Sequence, residues 1–293
     1  MSLQLTTLSR RLLRCPSRLQ GVFLCVIRRQ SRVAADLPIV RQQIYFENGV
    51  EMAQGNQQMN VNNHMQTRKV IRAIIVFALF LFFVPALLFI SAGTANWPIA
   101  WVYVTLFLAS TIGSRLIVLK RNPDTLRERA RFTASEGTKS WDRILFAING
   151  LFGSMAMIVA GLDHRFDWST IIPEIGQYLA ALVIAGGYGL GVWAMVVNRY
   201  FSAVARIQQD RGQVVVTTGP YRIIRHPAYA GALLANLALP IMLDAIWSLV
   251  PTLVMVVALT IRTSLEDRML REELDGYQSY TEETPYRLIP GLW

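Results

Sequence analysis

Cysteine and histidine are nearly absent from this 293-residue chain, which has two cysteines, Cys15 and Cys25, and three histidines, His64, His164 and His226. Both cysteines fall near the amino terminus and form no C-x-x-C pair, so neither a disulfide scaffold nor a cysteine-ligated metal holds the remainder of the chain. The histidines are scattered, make no H-x-x-x-H or H-E-x-x-H pair, and argue against a metalloenzyme. Charge is scarce as well. Only 16% of residues are charged, against about 25% in an ordinary soluble domain, whereas 53% are hydrophobic and mean hydropathy is +0.35. Such a balance argues against a water-soluble globule. It also changes the meaning of the net charge of +10, which reports bilayer topology here rather than nucleic-acid binding.

What the chain does have is apolar runs near the ~20 residues that a helix needs to cross a bilayer. Ile71 to Ala92, Pro98 to Leu119, Ile144 to Leu162 and Tyr178 to Val197 are such runs, free of charge except for Arg72 and Arg115 near their ends. Backbone amides in lipid need internal partners, so all four are expected to be helices. Residues 1–70 differ. Arg10, Arg11, Arg14, Arg18, Arg28, Arg29 and Arg32 precede the first acid, Asp36, and Gln54 to Gln66 is uncharged and polar. This arm is expected to be poorly ordered. It reads either as a targeting presequence or as an extension upstream of Met52, Met59 or Met65. No motif ties residues 1–64 to the membrane body.

Loop charges give an orientation, because Lys and Arg collect on the cytoplasmic side. Arg68, Lys69 and Arg72 flank the first run; Lys120, Arg121, Arg127, Arg129, Arg131, Lys139 and Arg143 follow the second. Arg165 is the single basic residue after the third, and Arg199, Arg206, Arg211, Arg222 and Arg225 follow the fourth. Both termini and the polar segment from Asn198 to His226 are therefore expected in the cytoplasm. That segment contains a β-prone Val214-Val215-Val216 and a Gly219-Pro220 turn. After it come Tyr229 to Leu243 and Ala245 to Ile261, short for full crossings and joined around Asp244. They predict an intramembrane helical hairpin bent by Pro240 and Pro251, with the second limb running past Arg262 into Glu266 to Leu274. The expected fold is all-α and polytopic, with about six membrane-embedded helices: four crossings over 71–197 and a carboxy-terminal region, 198–293, that carries the hairpin.

Two constellations can carry chemistry. Proline at position 227 favours a first helical turn and pushes His226 out of helical geometry, placing Arg225 and His226 at the amino-terminal mouth of the hairpin. Such a mouth favours an anion; the plainer reading is a lipid-headgroup contact with Tyr221 and Tyr229 in an aromatic belt. Arg262, Glu266 and Asp267 lie where the second limb leaves the membrane. Arg262 and Glu266, at i and i+4, are spaced for a mutual salt bridge. Alternatively the two acids face Arg225 and His226 across a charged cleft that would hold a zwitterion, as an amino-acid group on a cofactor requires. The run Gly186-Gly187-Tyr188-Gly189-Leu190-Gly191 imitates a nucleotide loop, but it lacks the spacing and the preceding strand, and Gly187 and Gly191 suit close helix packing instead. His64 and His164 have no companion residues and are expected to face solvent.

These residues carry a resemblance. Arg225 to Gly231 reads R-H-P-x-Y-x-G, Arg262 to Asp267 reads R-x-x-x-acid-acid, and the tail runs from Gly276-Tyr277 to Arg287-Leu288-Ile289-Pro290-Gly291-Leu292-Trp293. Together they resemble the isoprenylcysteine carboxyl methyltransferase family and the wider group of membrane phospholipid methyltransferases, over about a third of the chain. The second acid is usually glutamate in that family and is Asp267 here. The resemblance implies an enzyme using S-adenosylmethionine, with Tyr221, His226, Pro227, Tyr229, Gly231, Glu266 and Asp267 around the cofactor. Arg225, Arg262 and Glu266 are the catalytic candidates. The implied acceptor is a lipophilic or prenylated carboxylate, for which an arginine would orient the head; a phospholipid or small amphiphilic amine or thiol is the alternative, and an amine would need His226, Glu266 or Asp267 as base. Membrane lipid is the surrounding partner. Membrane sterol reductases share a related R-H-x-N-Y-x-G-D run and use a nicotinamide cofactor, but Ala228 and Ala232 stand where that run has Asn and Asp. A non-catalytic membrane scaffold is the remaining rival.

Overall fold

A computed structural model describes residues 74–121 and 138–293, together with Arg68, Ile71 and Arg72. Six main helices follow one another: α1 Ile74–Ala92, α2 Pro98–Arg121, α3 Ser140–Phe166, α4 Glu174–Val197, α5 Pro227–Met242 and α6 Leu249–Glu273. A short α7, Tyr277–Glu283, closes the set. No strand occurs among the described residues; Val214–Val216 is extended but unpaired in a sheet. The fold is that of an all-α polytopic membrane protein. α1, α2, α3, α4 and the stretch Ile246–Glu273 are each long and apolar enough to cross a bilayer. Their outer faces confirm the solvent they are built for: Phe82 is 73% exposed and Leu182 69% exposed, which only hydrocarbon makes favourable on this scale.

The helices alternate in direction, so the ends of α2, α4 and α6 and the starts of α3 and α5 lie at one end of the bundle. The opposite end is packed solid. Leu88, Trp97, Ala100, Tyr103, Ala160, Ile184, Leu239 and Met242 form one buried core there, with alanine letting helices approach closely. α4 and α5 make the tightest crossing. A Cβ on Gly187 would collide with the Gly231 carbonyl oxygen, and one on Gly231 with the Gly187 carbonyl oxygen; no side chain fits either position. The packing expectation thus holds for Gly187, but its partner is Gly231. A Cβ on Gly191 would meet nothing.

The hairpin differs from expectation in its geometry. α5, at 16 residues, spans about 24 Å, short of the ~30 Å hydrocarbon thickness. α6 runs past Arg262 to Glu273 as expected, and the stretch Ile246–Glu273 is long and apolar enough to cross a bilayer, where a short limb was expected. Pro251 lies in the first turn of α6, where a missing N–H costs nothing, and Pro240 lies in the last turn of α5; neither interrupts a helix centre. The reversal is made by Asp244, at φ 50°, and a short 3-10 turn, Ile246–Ser248. The Asp244 carboxylate accepts hydrogen bonds from the backbone of Ile171 and Ile172 at 3.2 and 2.9 Å, fastening the hairpin tip to the α3–α4 loop. His164 is not simply solvent-facing: its ring stacks on buried Trp97 at 4.0 Å. Residues 1–67, with His64 among them, and the basic loop residues Arg127, Arg129 and Arg131 lie outside the described residues.

Candidate active site

At the open end of the bundle the polar segment between α4 and α5 folds onto the helix ends through its own hydrogen bonds. The Gln208 side chain donates to the Tyr200 carbonyl at 2.6 Å, and the Tyr200 hydroxyl donates to the Gly212 carbonyl at 2.9 Å. Asp142, in the first turn of α3, then ties this segment to the bundle. Fully buried, it accepts the Ala205 N–H at 2.9 Å and the Arg262 Nε at 2.7 Å, while a second Arg262 nitrogen donates to the Ala203 carbonyl at 2.9 Å. Arg262 therefore pairs with Asp142 and not with Glu266, four residues along its own helix. Tertiary packing overrides the local spacing because a fully buried carboxylate demands a partner more strongly than a partly buried one. Sequence reasoning missed Asp142. The available signal was a lone acid at the threshold of an apolar run, between Lys139 and Arg143.

The second organiser is Asp267, which has no exposed surface. Arg225 grips it with two nitrogens at 2.7 and 3.2 Å, and Arg271 and Arg287 approach its other edge at 3.1 and 2.9 Å. The Tyr277 hydroxyl donates to it at 3.1 Å, and His226 Nε2 stands 3.3 Å away. Arg225 has little left to offer: its remaining terminal nitrogen donates to the carbonyls of Thr284 and Pro285, both at 2.7 Å. The network fastens the carboxy-terminal tail, whose Tyr286 and Arg287 carbonyls accept the N–H groups of Arg225 and His226 at 3.0 and 2.9 Å. Gly276 makes this return possible by taking φ 79° ahead of α7. Tyr280 donates to the Tyr221 carbonyl at 2.6 Å. Burial pushes the Tyr280 hydroxyl up to about 12 and raises Tyr221 and Tyr277 further, so all three are neutral donors at physiological pH.

Between these organisers lies a cavity of about 470 Å³, within the rough 300–1,000 Å³ range of small-molecule and cofactor sites. Arg225, His226, Pro227 and Tyr229 from the start of α5, Tyr221 before it, and Arg262 and Glu266 from α6 all line it. Glu266 is the one carboxylate in the lining among the described residues, and its partner is the Tyr229 hydroxyl at 2.5 Å. The Arg262 guanidinium lies 5.4 Å from the centre of the Tyr229 ring. Of the residues singled out in the sequence, two stand off the wall: Asp267, saturated behind it, and Gly231, committed to the α4–α5 crossing. The cavity continues from this charged end between α2 and α4, past Gly187, Gly191 and Ser114. No group of three or more His, Cys, Asp or Glu residues able to hold a metal occurs among the described residues.

Comparison with known proteins bears on this region. Residues 175–275, from the start of α4 to the end of α6, match the family model described as phospholipid methyltransferase. This part of the chain is similar to that family. Two curated relatives, from Oryza sativa subsp. indica and subsp. japonica, are each named "Probable protein-S-isoprenylcysteine O-methyltransferase". Each is 30% identical over 95 residues, which is 30% of this chain and 49% of the relative. The chain therefore spans about half the length of the curated relatives it matches. The segment matched by the family model supplies α4, the α5–α6 hairpin and Glu266, whereas Asp142 and the whole of α2 lie outside it.

Proposed function

We propose that this protein is an S-adenosylmethionine-dependent methyltransferase working at the cytoplasmic face of a membrane on a lipophilic acceptor, most simply a carboxylate. The observation that carries the reading is the cavity of about 470 Å³ that joins a charged, water-facing end to a gap between membrane helices, inside a region matched by a methyltransferase family. A water-soluble cofactor and a lipid-soluble acceptor must meet somewhere, and headgroup depth is where both can go. The cytoplasmic assignment is supported by Lys120, Arg121, Lys139, Arg143, Arg199 and Arg222, which flank the open end.

The residues present fit such a cofactor. Glu266 offers a carboxylate to the amino group of a zwitterion or to a sulfonium, and the hydroxyl of Tyr229 holds that carboxylate in place. His226, Tyr221 and Pro227 supply the adjoining wall. Bound there, S-adenosylmethionine would supply an electrophilic methyl group for an in-line transfer. The chain's own task is to position and desolvate the acceptor head. Arg262 is placed to orient a carboxylate: Asp142 and the Ala203 carbonyl fix its guanidinium, and it lines the cavity. Arg225 lines the cavity but acts as a positioning residue through Asp267, on which its guanidinium is spent. A phospholipid amine is the second reading, favoured by the description of the matched family; Glu266 or His226 would then take the proton.

Titrating the purified full-length protein with S-adenosylmethionine and with NADPH tests the reading directly: saturable binding of the first and none of the second is expected. Binding of NADPH alone would favour a reductase, and binding of neither would favour a scaffold. Arg262→Lys should retain the ion pair with Asp142 but lose the planar fork, lowering turnover about tenfold with little change in cofactor affinity. Steady-state rates and cofactor titrations on the same variant separate the two quantities; normal turnover would remove Arg262 from the acceptor site.

A further inference from the structure

Four arginines line the cavity, and three of them are paired with aspartates: Arg206 with Asp210 at 3.1 Å, Arg225 with Asp267 at 2.7 Å and Arg262 with Asp142 at 2.7 Å. The fourth is Arg115, on α2, which has no acidic partner among the described residues. One of its nitrogens donates to the Thr111 carbonyl at 3.3 Å, and its guanidinium lies 4.3 Å from the centre of the Phe77 ring. The other guanidinium N–H groups have no acceptor among the described residues. A lone arginine inside an apolar run is costly in a bilayer and is a mark of function.

Lipid-headgroup contact is the simpler use for such a residue, and the geometry opposes it. Arg115 lies six positions before the end of α2 at Arg121, about 9 Å from that end. To reach the headgroups its side chain would have to extend toward Arg121. Instead it bonds to Thr111, one turn toward the membrane centre. It also shares the cavity wall with Ser110, Thr111 and Ser114, which adds hydroxyl groups to a positive charge. One cavity thus carries, among the described residues, a single lining carboxylate, Glu266, and a cation without an acidic partner, on separate elements.

Building on the methyltransferase reading, we infer that Arg115 is the anchor for an oxyanion on the lipophilic acceptor, a carboxylate or a phosphate, and thereby determines which amphiphiles are accepted. The site lies outside the segment shared with the methyltransferase family, on a helix that family model does not cover. Glu266 attracts the cationic partner and Arg115 the anionic one, so the two reactants are sorted along the cavity by charge. Low dielectric strengthens both contacts.

The test uses the full-length protein in phosphatidylcholine nanodiscs, without cofactor, and measures binding of three probes: S-farnesyl-N-acetylcysteine, its neutral primary amide, and dodecyl phosphate. Wild type is expected to bind at least one anionic probe roughly tenfold or more tightly than the amide, the worth of a charge-assisted hydrogen bond. Arg115→Gln should cut that preference to the part Arg262 supplies and Arg115→Lys should retain more of it, while S-adenosylmethionine titrations stay unchanged in both. Preference for the carboxylate points to a prenylated acid, preference for the phosphate to a phospholipid, and either supports the anchor. Retention of the whole preference in Arg115→Gln, or its absence in wild type, overturns it. Because the probes are measured without cofactor, failure of wild type to bind S-adenosylmethionine would sink the methyltransferase reading separately.

Discussion

Replacing Asp267 with asparagine is expected to unfasten the carboxy-terminal tail and destabilise the protein more than any other single change at the site. The carboxylate is fully buried and faces Arg225, Arg271 and Arg287. Asparagine keeps the shape but removes the charge, leaving the Arg225 guanidinium, whose side chain is 2% exposed, without compensation. Breaking a buried pair in this way costs about 3–5 kcal/mol. Asp267→Glu retains the charge and adds one methylene, at a cost nearer to about 1–3 kcal/mol. Thermal unfolding in detergent should rank wild type above the glutamate variant and that above the asparagine variant. A full-strength asparagine variant would mean that geometry, not charge, holds the tail.

Glu266→Gln should give the converse result, with stability unchanged and function lost. Glu266 has no arginine partner among the described residues; its carboxylate meets the Tyr229 hydroxyl and the cavity. Glutamine can still accept that hydrogen bond. What disappears is the negative charge in the lining, which a cationic cofactor would lose as a partner. A charge-assisted contact is worth roughly 1.5–3 kcal/mol, so S-adenosylmethionine affinity should fall roughly tenfold to hundredfold. Near-native titration isotherms, with an unchanged melting temperature, would exclude Glu266 from the cofactor site.

These two neighbours in sequence behave differently for a reason that only packing supplies. Adjacent acids on a helix point about 100° apart, so one can face a cavity while the next faces the protein interior. By sequence, Glu266 and Asp267 group as one cleft. In the structure Asp267 sits behind the wall with its acceptors filled, and Glu266 forms the wall. Arg225 lines the cavity, yet its guanidinium is taken up by Asp267 and the carbonyls of Thr284 and Pro285. Gly231, part of the R-H-P-x-Y-x-G run, is the point at which α5 crosses α4. A motif records that residues are required together, without distinguishing a residue that touches a ligand from one that lets two helices meet.

The membrane helices themselves were legible because the bilayer leaves one option. A run of apolar residues in hydrocarbon must satisfy its own backbone, and a helix does so with local hydrogen bonds alone. α2, α3 and α4 therefore lie where hydropathy put them, extended by a few residues at their ends. The extension of α6 past Arg262 was readable from its pattern, although its full length, and the harmless position of Pro251 in its first turn, was not. Long-range partners were beyond reach. Asp142 and Arg262 are 120 residues apart, and nothing in either neighbourhood names the other. Charge, hydropathy and helix number act locally and were determined by the sequence alone. Which arginine is paired, which acid is free and where the cavity opens depend on how distant helices pack, because a buried charge takes whatever counter-charge the fold brings within reach.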